Sequence, residues 1–180
     1  MVIDLKGKNV LVTGASRGIG KSIAEKLATA GARVAIHYNK NKEEAEKLAQ
    51  QIGNNAEIFK ADLENRSECR NLFNEVLNSF KHLDVLVNNA GVSICSPVDG
   101  SDKDWDNDWD KTMRINLDAV GILCREAIHH FTERNEGRII TIASRASFRG
   151  DTPDHIAYAA SKGALVSLSR SIARGYGKKE

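Results

Sequence analysis

A glycine-rich turn between an apolar run and a helical pattern constrains this chain more than any other stretch. Residues 9–13 have the length and composition of a buried strand, and Gly14, Gly18 and Gly20 follow before the helical pattern begins. Such glycines let backbone N–H groups approach a pyrophosphate at the N-terminus of a helix. The spacing is G-x-x-x-G-x-G, which differs from the G-x-G-x-x-G fingerprint. The turn predicts a dinucleotide site, with an ordinary strand-to-helix turn as the open alternative.

Apolar runs alternate with helical patterns along the whole chain. The predicted strands cover residues 9–13, 33–37, 56–61, 83–87 and 139–143. The predicted helices cover residues 67–80, 108–131 and 154–174, with one more after the glycine turn and another from about Lys42. Strands that alternate with helices predict an α/β fold in which helices cover both faces of a doubly wound parallel sheet. A chain of 180 residues is long enough for one such domain, residues 1–180.

The residues after the second predicted strand bear on the choice of dinucleotide. In dinucleotide-binding folds an acidic residue at this place holds the ribose 2′-hydroxyl of NAD. This chain has His37, Tyr38, Asn39 and Lys40 there, and none of them is acidic. A 2′-phosphate would meet no repelling carboxylate, and Arg17 or Lys40 could pair with it. The pattern favours NADP over NAD, unless both cations simply face solvent.

Charge and composition exclude several classes of partner. The net charge is only +2, which gives no reason to expect binding to nucleic acid or to an anionic membrane. No apolar run approaches the ~20 residues that span a bilayer, and the first eight residues lack a signal core. Cys69, Cys95 and Cys124 are widely spaced and odd in number, which is typical of reduced thiols. We therefore expect a cytoplasmic protein.

The Asp-rich residues 99–110 invite comparison with a calcium loop. Counted from Asp102, the positions that require Gly and Glu hold Asn107 and Met113, so we predict no metal site here. The acids instead indicate the N-terminus of a helix that begins near Asp108, with Trp109 packed inward. We also assign no metal to the paired histidines that close this helix.

Polar residues stand out at three further places. Asn88 to Gly91 follow the fourth strand directly and suit a backbone that passes close to a ligand, although a simple turn would also use them. Asn116 lies among apolar residues inside a predicted helix, where it has either a buried hydrogen-bonding role or a solvent-facing one. Ser144 follows the apolar residues 138–143, which we interpret as a buried strand. The carboxyl end of such a strand is where open α/β sheets bind ligands.

Tyr158 and Lys162 are four residues apart and share one face of a predicted helix. A cation beside a phenol favours the phenolate, so Tyr158 is a candidate acid or base near neutral pH. The pair alone is a weak signal, because such pairs are common on helix surfaces.

Together these motifs resemble the short-chain dehydrogenase/reductase family over the whole chain, and most of all its 3-oxoacyl-[acyl-carrier-protein] reductases. The resemblance implies a Rossmann fold that uses NADP(H), with NAD(H) as the other possibility. The implied catalytic residues are Asn116, Ser144, Tyr158 and Lys162. The implied cofactor contacts are Gly14, Ser16, Arg17, Gly18, Ile19, Gly20, Asn39, Asp62, Leu63, Asn89, Ala90, Gly91, Tyr158 and Lys162.

The resemblance also assigns a role to each catalytic residue. Tyr158 would exchange the alcohol proton, and Ser144 would hydrogen-bond the carbonyl oxygen. Lys162 would lower the tyrosine pKa and bind the nicotinamide ribose, while Asn116 would hold a water in a proton relay. The implied substrate is a small carbonyl or alcohol compound, including a carrier-bound acyl group. A nucleotide-binding module without turnover and an NAD-linked sugar or polyol dehydrogenase are the alternatives.

Length and assembly are further expectations from the same resemblance. Members of this subgroup run to about 250 residues, whereas this chain has 180. We therefore expect five strands in the order 3-2-1-4-5 and a domain truncated at its C-terminus, without the last strands and the substrate lid. Helices 108–131 and 154–174 correspond to those that related enzymes use to form homodimers and homotetramers.

Overall fold

Five parallel strands form the central sheet of the computed structural model, which describes residues 3–53 and 55–177. The strands are β1 (Asn9–Val12), β2 (Arg33–Tyr38), β3 (Ala56–Lys60), β4 (Val85–Asn88) and β5 (Arg138–Thr141). Their spatial order is β3-β2-β1-β4-β5, and each adjacent pair is parallel. Parallel neighbours need crossover connections, which helices supply. The predicted fold and strand order are confirmed; Met1 and Glu180, the ends of the predicted domain, lie outside the described residues.

Helices connect the strands and cover both faces of the sheet. They are α1 (Gly18–Thr29), α2 (Lys42–Ile52), α3 (Arg66–Phe80), α4 (Asp102–Met113), α5 (Ala119–Arg134), α6 (Ala146–Arg149) and α7 (Ile156–Tyr176). A π-helical turn, Arg114–Asp118, joins α4 to α5, and a 3₁₀ turn, Pro153–His155, precedes α7. None of the helices in the described part of the chain is both long and apolar enough to cross a membrane.

The start of α4 differs from the sequence prediction. The helix begins at Asp102 rather than near Asp108, because the Ser101 hydroxyl caps it by accepting a hydrogen bond from the Asp104 N–H at 3.2 Å. Acids in the first turn also stabilise the positive end of the helix dipole. Trp109 is half-buried and stacks on Trp105 with ring centres 6.2 Å apart, so its predicted inward packing is only partial.

Two apolar cores lie on opposite faces of the sheet. Side chains alternate along β1, so Leu11 belongs to the core that includes α3 and α5, while Val10 and Val12 belong to the core that includes α1 and α2. All three are fully buried. Each large apolar side chain buried in this way contributes roughly 1.5–3 kcal/mol. These cores hold the carboxyl ends of the central strands at one edge of the sheet.

The strand β5 is less buried than the sequence predicts. We predicted that residues 138–143 form a buried strand, but Ile140 is 40% exposed and Arg138 is also exposed. The reason is its place in the sheet, since β5 is an outer strand that pairs only with β4 among the described residues. Apolar composition alone cannot separate an outer strand from a central one.

Candidate active site

The predicted site residues converge at the carboxyl edge of the sheet. The glycine turn follows β1, the segment Asn88 to Gly91 ends β4 and continues beyond it, and Ser144 lies three residues after β5. Parallel strands bring these ends together, at the place where open α/β sheets bind ligands. The first turns of α7 bring Tyr158 and Lys162 to the same region.

The glycine turn packs tightly against the segment after β4. Gly14 and Gly18 have φ values of +62° and +57°, which side chains other than glycine rarely adopt. A Cβ on Gly14 would lie 2.9 Å from the Ala90 Cα, and one on Gly20 would lie 2.4 Å from the Asn89 Nδ2. Both contacts are too short for a real carbon atom. The predicted turn is therefore a backbone cradle that requires glycine for close packing.

Thr13 and Asn89 hold this cradle in place. The Thr13 hydroxyl accepts hydrogen bonds from the backbone N–H groups of Asn89 and Ala90, each at 3.0 Å. In return the Asn89 side-chain amide donates to the backbone oxygens of Thr13, at 2.9 Å, and Gly14, at 3.2 Å. The sequence predicts that Asn89 contacts the cofactor, and in the structure its amide nitrogen also holds the turn. Thr13 was not singled out as a functional residue.

The exposed part of the cradle is the N-terminus of α1. Arg17 is exposed in extended conformation at the N-cap position, and its side chain makes no capping hydrogen bond. Ile19 is 66% exposed, whereas Ser16 and Gly20 are buried. The N–H groups of a helix N-terminus, a cation and an apolar side chain thus lie together at the exposed end of the turn.

A second polar group lies beside the cradle, where β2 and β3 end. The Asn39 amide donates to an Asp62 carboxylate oxygen at 3.1 Å, and the Glu64 N–H donates to the same oxygen at 3.0 Å. The Leu63 side chain is buried in the core with α3, so only its backbone remains for the predicted ligand contact. A polar cleft of about 640 Å³ borders Asp62 and extends to Arg114 and Asp118 at the π-helical turn.

Asn116 lies in the π-helical turn and is fully buried. Its Oδ1 accepts from the Val92 N–H at 2.8 Å, while its Nδ2 donates to the Val92 carbonyl at 2.8 Å and to the Ser161 hydroxyl at 3.0 Å. The predicted buried hydrogen-bonding role of Asn116 is therefore confirmed, and the solvent-facing alternative is wrong. π-Helical turns frequently occur at functional sites. The side chain ties the segment after β4 to α7.

Lys162 is the central cation of the site. Its Nζ donates to the Ile142 carbonyl at 2.9 Å and lies 5.8 Å from the centre of the Tyr158 ring. The residue is 4% exposed, and burial lowers the pKa of its ammonium group. A Cβ on Gly91 would lie 3.5 Å from this Nζ, so the segment after β4 passes directly beside it.

Three serines make hydrogen bonds within this arrangement. Ser161 receives the hydrogen bond of Asn116 and donates to the Tyr158 carbonyl at 2.7 Å. Ser147 donates to the Lys162 carbonyl at 2.9 Å, and the Ser144 hydroxyl accepts from the Ala146 N–H at 3.1 Å. Sequence reasoning missed Ser161 and Ser147, because a serine in a helical pattern gives no sign of its partner. The adjacency of Ser161 to Lys162 was the only available signal.

Similarity to known proteins agrees with this geometry. The model of the short chain dehydrogenase family matches residues 8–180. The chain belongs to the short-chain dehydrogenase family. The "Hydroxynaphthalene reductase-like protein Arp2" of Metarhizium guizhouense is 38% identical over 180 residues, which are 98% of this chain and 66% of that protein. "Nodulation protein G" of a Rhizobium species is 38% identical over 174 residues, 96% of this chain and 69% of that protein.

Solved structures of family members share the fold. A short chain dehydrogenase from Burkholderia cenocepacia in complex with NADP has a TM-score of 0.86 and 37% identity, over 96% of this chain and 70% of that one. A 3-ketoacyl-(acyl-carrier-protein) reductase from Brucella melitensis complexed with NADH has a TM-score of 0.85 and 30% identity, with the same coverage. This chain thus spans about two thirds of the length of its relatives.

Proposed function

We propose that this chain transfers a hydride between NADP(H) and a carbonyl or secondary alcohol substrate. The observation that carries the proposal is the position of Lys162, between the Tyr158 ring and the end of the strand that leads to Ser144. Membership of the short-chain dehydrogenase family supports it, as do the NADP and NADH complexes of the two similar structures.

The residues present fit a bound dinucleotide. The cradle formed by Gly14 and Gly20 has no room for a Cβ, because the turn packs directly against Ala90 and Asn89. Arg17 and Ile19 are exposed at the N-terminus of α1, where a phosphate is favoured by N–H groups and the helix dipole. Asp62, already oriented by Asn39, would hold the adenosine end. When bound, the nicotinamide supplies or accepts the hydride.

The chain's own residues would handle the proton and the oxygen. The Tyr158 hydroxyl donates a proton to the carbonyl oxygen during reduction and accepts it during oxidation. The Ser144 hydroxyl donates a hydrogen bond to the same oxygen. The Lys162 ammonium group is buried, and its Nζ lies 5.8 Å from the centre of the Tyr158 ring. Asn116 fixes the segment after β4 against α7 and, as the family resemblance implies, would position a water for the proton relay.

The end of β2 supports NADP over NAD. None of the residues from His37 to Lys40 is acidic, and both Arg17 and Lys40 are exposed. A 2′-phosphate would therefore meet cations rather than a carboxylate. We expect Arg17→Ala to weaken NADPH binding roughly fivefold or more, as for one lost charge-assisted hydrogen bond, and to leave NADH binding nearly unchanged. Equal losses for both dinucleotides would contradict the NADP assignment.

Tyr158→Phe tests the reaction itself. The variant should lose measurable NADPH oxidation and keep wild-type affinity for NADP⁺, because the phenol acts on the proton and the ring is retained. Tyr176→Phe is the matched control, since Tyr176 is a 65% exposed tyrosine on the same helix, and it should behave as wild type. Turnover that survives in Tyr158→Phe would refute the role of the phenol. Dinucleotide binding without turnover by the wild type would instead favour a binding module.

Two substrate classes follow from the names of the similar proteins. The Brucella melitensis structure is a 3-ketoacyl-(acyl-carrier-protein) reductase, and the Metarhizium relatives are named hydroxynaphthalene reductase-like proteins. A 75% exposed Phe148, four residues after Ser144, supports an apolar substrate in either class. Oxidation of NADPH with a 3-ketoester and with a bicyclic aromatic ketone, compared by kcat/KM, separates a 3-oxoacyl substrate from an aromatic one.

We also propose that α5 and α7 mediate a homodimer or homotetramer. The two helices border an open hollow of about 480 Å³ whose apolar lining includes Ile128, Leu168 and Ile172. Tyr176, at the end of α7, is 65% exposed beside it. Light scattering of the purified chain measures the mass directly, and a monomer at micromolar concentration would refute this arrangement.

The thiols support a reducing compartment. Cys69 and Cys124 are buried, Cys95 is exposed, and all three are free. Exposed free thiols are typical of the cytoplasm, which we propose as the location. Microscopy of a fluorescent fusion in the source cell would test it.

A further inference from the structure

We propose that His37 positions the glycine turn for the dinucleotide, although it is remote in sequence from the turn and belongs to none of the predicted contact sets. The inference rests on the proposed dinucleotide site. It adds a residue that acts through Gly14, and so through the backbone of the cradle, rather than by touching the ligand.

His37 lies near the end of β2 and is 2% exposed. Its Nδ1 accepts a hydrogen bond from the Gly14 N–H at 2.9 Å. Its backbone oxygen accepts from the Ala15 N–H, also at 2.9 Å. On the other side of the ring, Nε2 lies 3.1 Å from the Ala61 carbonyl. One buried residue therefore holds the first two residues of the turn and the end of β3.

These partners define the protonation state of the ring. A backbone N–H only donates, so Nδ1 must be unprotonated, and Nε2 carries the hydrogen that it donates to Ala61. The imidazole is therefore neutral, and burial lowers the pKa of His37 to about 4, against a smaller opposing effect of the Ala61 hydrogen bond and the Asp62 carboxylate. A second proton on the ring would be bound to Nδ1, where it would face the hydrogen of the Gly14 N–H and replace the hydrogen bond by repulsion.

The hydrogen bond to Gly14 acts on the most constrained part of the cradle. Gly14 has a positive φ, and its carbonyl accepts a hydrogen bond from the Asn89 amide at 3.2 Å. Without the His37 acceptor, the Gly14 N–H would be left unpaired in a partly buried position, and the turn would relax to find another partner. Binding sites need their groups held within about 0.5 Å, so such a shift lowers affinity.

The two ring nitrogens can be tested separately by substitution. Asn presents an amide oxygen near the position of Nδ1 and retains an acceptor for Gly14, but it does not reach Ala61. Gln reaches the Ala61 carbonyl with its amide nitrogen and loses the acceptor for Gly14. Leu loses both. Affinity for NADP⁺ and for NAD⁺ is measured by titration calorimetry on the full chain at pH 8, at a temperature where circular dichroism shows each variant folded.

We expect His37→Asn to bind within about threefold of the wild type, and His37→Gln and His37→Leu to bind about five- to tenfold more weakly, as for one lost hydrogen bond. With a substrate in hand, the KM for the dinucleotide should rise while kcat stays constant. Unchanged affinity in the Gln and Leu variants would overturn the role of His37. Losses of dinucleotide affinity that parallel the losses of thermal stability in all three variants would also overturn it. They would indicate that His37 is a purely structural residue. A wild-type chain that binds neither dinucleotide overturns the proposed function, and this inference with it.

Discussion

Acidification should destabilise this chain through His37, and the size of the effect follows from the structure. The ring is buried and neutral, with a pKa of about 4 in the folded chain against an ordinary value of 6.5. Between these values the unfolded chain binds a proton that the folded chain does not, so stability is complete above pH 6.5 and falls as the pH drops towards 4. One pKa unit corresponds to about 1.4 kcal/mol, so the free energy of unfolding should fall by about 3 kcal/mol between pH 6.5 and pH 4.

Urea denaturation followed by circular dichroism measures this loss. The free energy of unfolding is compared between the wild type and His37→Asn at several values between pH 7.5 and pH 4.5. The Asn variant retains the acceptor for Gly14 and cannot titrate, so the difference between the two proteins removes the contribution of every other ionisable group. We expect the free energy of unfolding of the wild type, measured relative to that of the variant, to fall by about 2–3 kcal/mol from pH 7.5 to pH 4.5.

A difference in the free energy of unfolding that stays constant with pH would contradict this prediction. It would mean that His37 has the same pKa in the folded and unfolded chains, and hence that the ring is neither desolvated nor held neutral by Gly14 and Ala61. A difference that grows at low pH would mean that the folded chain prefers the charged ring, which the donated Gly14 N–H does not allow.

Three further substitutions test the cradle and the catalytic centre. Asn116→Leu removes three hydrogen bonds and leaves buried backbone groups unpaired, so we expect a loss of about 3 kcal/mol in urea denaturation, with the exposed Asn107→Leu as control. Gly20→Ala forces a Cβ to within 2.4 Å of its neighbours and should cost about 1–3 kcal/mol and weaken NADP⁺ binding. The control for Gly20→Ala is Gly121→Ala, since Gly121 faces open space on α5. It should leave the free energy of unfolding unchanged or raise it slightly. Lys162→Met should abolish turnover and raise the thermal midpoint, because burial already lowers the lysine pKa and the charge opposes folding at neutral pH. A lower thermal midpoint would show that the hydrogen bond from Lys162 to the Ile142 carbonyl stabilises the fold more than burial of the charge destabilises it.

Much of the architecture could be predicted because it depends on local pattern. Apolar runs of four to six residues bounded by glycine or polar residues became the five strands, and the strand order followed from the family resemblance. The boundaries of α4 were less predictable. The run of aspartates predicted a helix N-terminus near Asp108, whereas the Ser101 cap starts the helix six residues earlier, at Asp102.

The residues of the candidate site also separate into those that could be predicted from the sequence and those that could not. Ser144, Tyr158 and Lys162 could be named in advance, because each follows a strand or shares a helix face with a chemically matched partner. Ser161 and His37 could not, since their roles depend on groups 45 and 23 residues away along the chain. The burial of β5 was misjudged for a related reason, as its position at the edge of the sheet depends on which strands pair with it.

The alternation of strands and helices, the glycine turn and the candidate catalytic side chains could be predicted, because these depend on residues close together in the chain. Which polar groups satisfy one another depends instead on how the chain packs. A buried hydrogen-bonding group must find a partner wherever the fold brings one within about 3 Å, and sequence spacing does not encode that distance. The neutral His37 between Gly14 and Ala61, and Asn116 between Val92 and Ser161, are products of packing.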